Sequence, residues 1–314
     1  MIKKNTFEFE SKTDGLKISA LIVEPEKTED IKGIIQLVHG MVEYKERYVD
    51  FMEFLALNGY LCVIHDHRGH GKSVKSIDDL GYMYEGGKAG LIEDTHQVTG
   101  IIKEHAKEIT QRDDLPFILL GHSMGSLVVR SYIKKYDEEV DKLCVLGCPS
   151  PQAGASAGLI LIKLIKLFRG DKNHSKLIDD LVMNSRFEKR FKNENLLHAW
   201  VNSDREEVLK YNADPYCSFT FTINGYISLV ELTLDTYSNK GYNITKPELP
   251  VKFFSGADDP CGISEKDIDK AIGIMKKAGF NNIDKKLYVG MRHEILNEPE
   301  HMKVYNDILD YVNQ

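Results

Sequence analysis

A serine, a histidine and a carboxylate on separate loops are the residue types needed for acyl transfer, and this chain offers one such set. Ser123 stands in Gly121-His122-Ser123-Met124-Gly125. A short apolar run, Phe117-Ile118-Leu119-Leu120, precedes it, and an amphipathic run begins after Gly125. A serine on so sharp a strand-to-helix turn carries its hydroxyl above the sheet, and a side chain at either glycine would collide with the neighbouring strand or helix. The amide of Met124 then points up at a helix start, where it can donate to a developing oxyanion. A second donor is expected at Met41, because Gly33-Ile34-Ile35-Gln36-Leu37-Val38 reads as a buried strand delivering His39-Gly40-Met41 beside the nucleophile.

The nucleophile needs a base to take its proton and a carboxylate to orient that base. The carboxylate loop is Gly256-Ala257-Asp258-Asp259-Pro260-Cys261-Gly262, and of the 11 histidines only His293 and His301 follow it. His301 falls inside a helical pattern, whereas His293 lies in a loop just beyond a strand, so His293 is the expected base. Asp258 and Asp259 are adjacent and only one can face it. Pro260 holds the residue before it extended, which favours Asp259, with Asp258 the alternative. The order Ser, Asp, His suits a serine presented on such a turn. A further loop, His65-Asp66-His67-Arg68-Gly69-His70-Gly71-Lys72-Ser73, is rich in histidine but has no i, i+4 ligand pair on a helix, and its glycines indicate a tight structural loop. No metal and no cofactor are expected.

These loops need strands to hold them. An opening hairpin (Thr6–Glu10 and Lys17–Val23) is followed by strands at Gly33–Val38, Tyr60–Ile64, Phe117–Leu120 and Asp141–Gly147, alternating with helices over Glu46–Leu57, Gly90–Glu108 and from Gly125 to about Tyr136. Such alternation predicts a parallel sheet with helices on both faces. The rhythm breaks from about Pro149 to about Pro247, where helices are expected over Leu159–Phe168, Lys176–Met183, Leu196–Val201, Arg205–Tyr211 and Tyr226–Thr236. It resumes with strands at Val251–Ser255 and Lys285–Val289 and helices at Glu265–Ala278 and Pro299–Val312. The division is therefore a core of 1–148 and 248–314 with an insertion of 149–247 lying over the strand ends as a lid. Its most apolar stretch, Gly158–Phe168, is expected to be the insertion's own core, ahead of an acyl tunnel or a membrane contact. Trp200, in the same region, is expected to pack in a core.

The 314 residues suffice for a large core, and the net charge of −7 without a long basic run argues against nucleic acid as a partner. No segment reaches membrane-spanning length and no apolar stretch follows the first lysines, so a cytoplasmic protein is expected, without stable membrane insertion. The 5 cysteines match no ligand pattern and read as free thiols.

Taken together, His39-Gly40-Met41, the loop His67-Arg68-Gly69-His70-Gly71-Lys72-Ser73, Gly121-His122-Ser123-Met124-Gly125 and the C-terminal His293 resemble the monoacylglycerol lipase and lysophospholipase-like branch of the α/β-hydrolase superfamily, also grouped as serine aminopeptidase family S33. The resemblance covers nearly the whole chain outside the insertion. It implies the α/β-hydrolase fold with a helical cap, Ser123 as nucleophile, His293 as base, the amides of Met41 and Met124 as oxyanion donors, and an acid at Asp259 or Asp258. It also implies a cofactor-free hydrolase of carboxylic esters, with an acyl ester of a small alcohol as substrate. Two readings stand beside it. One is an aminopeptidase, which needs a cap carboxylate such as Glu194, Asp204, Glu206 or Glu207 facing the site. The other is a binding protein without turnover. An epoxide or haloalkane hydrolase is disfavoured, because those enzymes carry Asp where Ser123 stands. Monomer and homodimer are both left open, as is transient contact with a lipid surface.

Overall fold

Alternation in the first residues pairs β1 (Ile2–Glu10) antiparallel with β2 (Lys17–Pro25), leaving β1 largely exposed and β2 buried. This computed structural model describes residues 2–150, 154–182, 185–262 and 265–314. The apolar runs that follow become β3 (Gly33–Val38), β4 (Tyr60–His65), β5 (Phe117–His122) and β6 (Lys142–Leu146), buried on both faces as parallel strands must be. After the insertion come β7 (Val251–Gly256) and β8 (Ile283–Tyr288). One sheet results, in the order β1-β2-β4-β3-β5-β6-β7-β8, parallel from β4 onward.

The order positions the site. β3 lies beside β5 with Val38 opposite Gly121, so the loop after β3 emerges next to Ser123. β6, β7 and β8 follow in register, bringing the carboxylate and histidine loops to the same edge. Among the core helices, α1 (Val49–Leu57) packs on one face of the sheet, while α2 (Gly87–Thr110) and α3 (Met124–Tyr136) pack on the other. The insertion holds α4 (Ala155–Arg169), α5 (Lys176–Val182), α6 (Ser185–Phe191), α7 (Arg205–Ala213) and α8 (Ile223–Thr236). α9 (Glu265–Ala278) joins the face of α2, and α10 (His301–Asn313) the face of α1. No helix of the described residues is long and apolar enough to cross a membrane.

Two expectations for the insertion need correction, and one helix there was not foreseen. Leu196–Val201 is a run of turns, not a helix: Asn195 and His198 take positive φ, and the His198 amide and Ala199 carbonyl are drawn off to Glu188 and Arg292. A local preference has yielded to tertiary hydrogen bonds. The helix α6 was not expected, and the predicted helix end at Met183 lies outside the described residues. The apolar run Gly158–Phe168 does form a helix, but it is not the insertion's core. Ile162 alone in α4 is fully buried, with Leu159 and Ile165 half-buried, while Leu167 is 78% and Phe168 89% exposed. A helix that is apolar nearly all round finds here a neighbour for only one narrow stripe.

Candidate active site

Sharp turning at the end of β5 puts Ser123 at φ 52° and ψ −117°, a conformation that costs energy for a residue with a side chain and persists because its surroundings hold it. The Ser123 amide donates to the Leu146 carbonyl of β6 at 3.0 Å, and its carbonyl accepts from Ser126 at 2.9 Å. Neighbouring glycines permit the turn: a Cβ on Gly121 would lie 2.4 Å from the Gly125 carbonyl, and one on Gly125 only 2.0 Å from the Val38 carbonyl. Gly40 comes equally close, since a Cβ there would sit 2.9 Å from the Ser123 Cβ. The loop after β3 is thus pressed against Ser123. Met41 and Met124 both line the cavity above Ser123, and neither backbone amide is engaged in a hydrogen bond among the described residues.

The histidine and carboxylate loops meet beside it. His293 Nδ1 donates to Asp259 Oδ2 at 2.9 Å, with both side chains buried, and Asp259 Oδ1 accepts from the Cys261 amide at 2.8 Å. Asp258, by contrast, is turned outward, 47% exposed and paired with Arg190 of the insertion at 2.9 Å. Of the two adjacent carboxylates, Asp259 is the one brought to His293. Ser123 Oγ makes no hydrogen bond among the described residues, and Ser123 and His293 line the same cavity.

Beneath these groups lies a buried network that sequence reasoning missed. Glu43 Oε1 accepts from the Gly40 amide at 2.5 Å, from the Tyr48 hydroxyl at 2.9 Å and from His122 Nδ1 at 3.0 Å. His122 Nε2 donates onward to the His293 carbonyl at 3.1 Å. One ion pair therefore joins the loop after β3, the turn holding Ser123 and the loop holding His293. Burial alone would raise the pKa of Glu43 and lower that of His122. Their mutual hydrogen bond and charge reverse both, bringing Glu43 down to about 2 and His122 above the ordinary histidine value. The sequence signal was a polar residue ending an apolar strand and a carboxylate just past Gly40, each readable only once the other is known to be near.

The histidine-rich loop is structural. His67 donates its amide to His39 Nε2 at 2.9 Å and its ring Nε2 to the His39 carbonyl at 3.1 Å, and His70 Nδ1 donates to the Arg68 carbonyl. Arg68, fully buried, pairs with Asp94 at 2.9 Å and Asp14 at 2.6 Å. The loop's ring nitrogens do not converge; among the described residues the group close enough to share an ion is Asp259, Cys261 and His293, of which Asp259 and His293 are already hydrogen-bonded together.

A cavity of about 540 Å³ opens above Ser123. Its floor includes Met41, His122, Met124 and His293, and its roof includes Phe187, Trp200, Val230 and Phe219 from the insertion. Trp200 packs on Phe187 and stands 5.1 Å, ring to ring, from His293, so it walls the site as well as filling a core. None of the run Gly158–Phe168 lines the cavity. Nor do Glu194, Asp204, Glu206 or Glu207: Glu194 pairs with Arg292, Asp204 caps α7, and Glu207 pairs with Lys210.

A family model described as serine aminopeptidase, S33, matches residues 29–300. The monoacylglycerol lipase of Mycolicibacterium smegmatis is 26% identical over 283 residues, covering 90% of this chain and 89% of its own. A phospholipase of Bacillus subtilis is 25% identical over 287 residues, covering 90% and 95%. Among solved structures, a thermostable carboxyl esterase from Bacillus coagulans in complex with glycerol superimposes with a TM-score of 0.84 at 24% identity, covering 99% of this chain and 98% of that one. The fold is that of the α/β hydrolases, as the sequence led one to expect.

Proposed function

This chain belongs to the serine aminopeptidase S33 family, and on that premise we propose that it is a serine hydrolase of carboxylic esters, acting on an acyl chain carried by a small alcohol such as glycerol. The observation that carries the reading is the buried His293–Asp259 hydrogen bond, with His293 and Ser123 lining one cavity. The relatives named above share ester hydrolysis as their common chemistry.

In this reading Ser123 Oγ attacks the ester carbonyl while His293 takes its proton, and Asp259 holds the ring and balances the imidazolium. The oxyanion sits on the amides of Met41 and Met124. Collapse expels the alcohol, protonated by His293, and leaves an acyl group on Ser123. Water, deprotonated by His293, then releases the acid. Residues 149–247 act as the cap that excludes bulk water and shapes the acyl site. The exposed face of α4 (Ile160, Leu164, Leu167, Phe168), flanked by Lys163, Lys166 and Arg169 with no acidic residue in that helix, suits transient contact with a lipid surface.

The test is hydrolysis of p-nitrophenyl esters across acyl lengths. Ser123→Ala is expected to abolish turnover and Asp259→Asn to lower kcat about 10⁴-fold. Intact protein that cleaves none of the esters, or an Asp259→Asn variant within tenfold of it, overturns the assignment. Aminoacyl arylamide turnover above ester turnover would favour the aminopeptidase reading instead.

A further inference from the structure

We infer that the cavity is a charge filter, admitting esters whose alcohol is uncharged and turning away those whose alcohol bears a phosphate. The inference rests on the ester-hydrolase reading above and supplies the head group that reading leaves open. Among the described residues lining the cavity there is no lysine and no arginine, but there are five carboxylates: Glu43, Asp179, Asp180, Glu188 and Glu294.

The two carboxylates in the floor are neutralised. Glu43 is matched by His122, and Glu294 by Arg47 at 2.5 Å. Arg47 is committed to that pair, lying over the Tyr211 ring with Glu43 3.9 Å away on its other side. The roof carboxylates differ. Asp179 accepts from the Tyr226 hydroxyl and Glu188 from the His198 amide at 3.1 Å, both neutral partners, and among the described side chains neither carboxylate has an ion pair; Asp180 is exposed on the same helix as Asp179. Two of the histidines at the lining have ring nitrogens already engaged: His122 gives both nitrogens to Glu43 and the His293 carbonyl, and His198 Nδ1 meets Asn212 at 2.6 Å.

Arg or Lys forks and helix N-termini hold phosphates, and of these the described lining offers only the starts of α3 at Met124 and α4 at Ala155, with no cation beside either. In an acylated glycerol phosphate the phosphorus lies only a few bonds from the reacting ester, so it must share the cavity with Ser123. There it would lose water and gain carboxylates for neighbours, which is unfavourable twice over. A glycerol hydroxyl meets no such cost, since acidic and carbonyl oxygens accept from it. The same field acts on the product, because the fatty acid released by hydrolysis is an anion and is repelled from the roof.

The experiment compares 1-octanoylglycerol with 1-octanoylglycerol 3-phosphate, both below their micelle-forming concentrations. At low ionic strength kcat/KM is expected to favour the neutral ester by about 100-fold, the size a few kcal/mol of like-charge repulsion gives. Added salt should narrow the ratio, and so should Asp180→Asn with Glu188→Gln. Hydrolysis of the phosphate ester within tenfold of the neutral one, or a ratio unmoved by the double variant, overturns the filter. Calorimetric binding of both esters to Ser123→Ala separates this from the catalytic reading. Selective binding of the neutral ester by a protein whose unsubstituted form hydrolyses neither leaves the filter standing and the hydrolase reading refuted. Equal binding of both, or binding of neither, refutes the filter whatever the activity.

Discussion

The floor and the roof of the cavity are built on opposite principles. In the floor, polar side chains are buried and matched: Glu43 with His122, Asp259 with His293, Lys45 with Asp66 at 2.6 Å, Arg68 with Asp94 and Asp14. In the roof, apolar side chains meet the cavity beside three carboxylates, Asp179, Asp180 and Glu188, that have no ion pair among the described residues, and α4 leaves Leu167 and Phe168 in solvent. Hydrogen bonds have direction and apolar contact has none, so the floor can hold side chains in fixed positions while the roof acts on what enters through shape and charge. One stretch of the roof, residues 185–217, belongs mechanically with the floor. Arg190 pairs with Asp258, Glu194 with Arg292, and the Tyr211 hydroxyl donates to the Val42 carbonyl at 3.1 Å. Asp258 and Arg292 are the residues immediately before Asp259 and His293, so this stretch is fastened next to both members of that hydrogen-bonded pair.

Acid should expose the contrast most strongly, because the floor is where titratable groups are buried. Burial, helped by the charges of Arg68 and Lys45, brings His65 down to about 3, and burial brings His70 to about 4 against the opposing pull of its bond to the Arg68 carbonyl. His39 and His67 are driven the same way by burial and by neighbouring histidines. A histidine depressed in the folded state stabilises the fold fully above pH 6.5 and progressively less as pH falls, since the unfolded chain then binds the proton first. His122 runs oppositely, its stabilisation lost only as pH rises, and Glu43 keeps its own until pH falls toward 2. Between pH 7 and 5 the depressed histidines dominate, at about 2 kcal/mol for each of His65 and His70 by pH 5. Urea unfolding at the two pH values measures it. Equal stability at both would show that the floor's histidines do not carry the burial cost assigned to them.

The next largest effect is expected where roof is fastened to floor. Arg292 Nη1 donates to Glu194 at 3.1 Å and to the Asn202 carbonyl at 3.1 Å, with further bonds to Glu194 and the Ala199 carbonyl, and its guanidinium lies 4.1 Å over the Phe191 ring. Removing these donors in Arg292→Ala leaves carbonyls unpaired, at about 2 kcal/mol of stability. His293, one residue on, loses a fixed backbone, so kcat should fall about tenfold with KM changed less. Arg292→Lys, which keeps charge but not the fork, should recover only part of kcat. An alanine variant that loses stability but keeps kcat would make the fastening structural only.

How much of this could be read beforehand follows the same division. Ser123, His293 and Met41 could be singled out as candidates because a turn, a strand end and a chain order each admit few residue types. Choosing Asp259 rested on one proline, and the structure places that residue against His293. Glu43 and His122 were hidden because their meaning lies in a contact across 79 positions of chain. The roof was legible only as helical. Its apolar run gave composition without direction, so its exposed face on α4 could not be told from a core, and Leu196–Val201 could not be seen to surrender its backbone groups to Glu188 and Arg292.

A smaller effect should appear where roof is free of floor. Leu167→Ser with Phe168→Ser alters residues that touch neither the cavity nor a catalytic loop, so kcat/KM on a dissolved short ester is expected to stay within about twofold, surface changes being close to neutral. Turnover of an emulsified long-chain ester should fall several-fold as the apolar area available to a lipid surface shrinks. A tenfold loss on the dissolved ester would mean that α4 supports the site after all, and that the roof is less divided than its contacts indicate.

The smallest effect is expected at Asp258, and its smallness is what makes it useful. Asp258 and Arg190 are both largely exposed, and such pairs contribute about 0.2–1 kcal/mol, less as salt rises. Asp258→Asn should therefore lower kcat by no more than about threefold, with Arg190→Gln giving a similar change and the double variant no further loss, since both remove one and the same contact. If Asp258→Asn instead abolished turnover as Asp259→Asn is expected to, the acid would sit one residue earlier, and the stretch 185–217 would be holding the catalytic carboxylate itself. If it changed nothing at any ionic strength, the exposed pair would carry none of the fastening, which would then rest on the contacts of Arg292 and on hydrogen bonds such as those of Tyr211 to Val42 and Asn202 to Asn297.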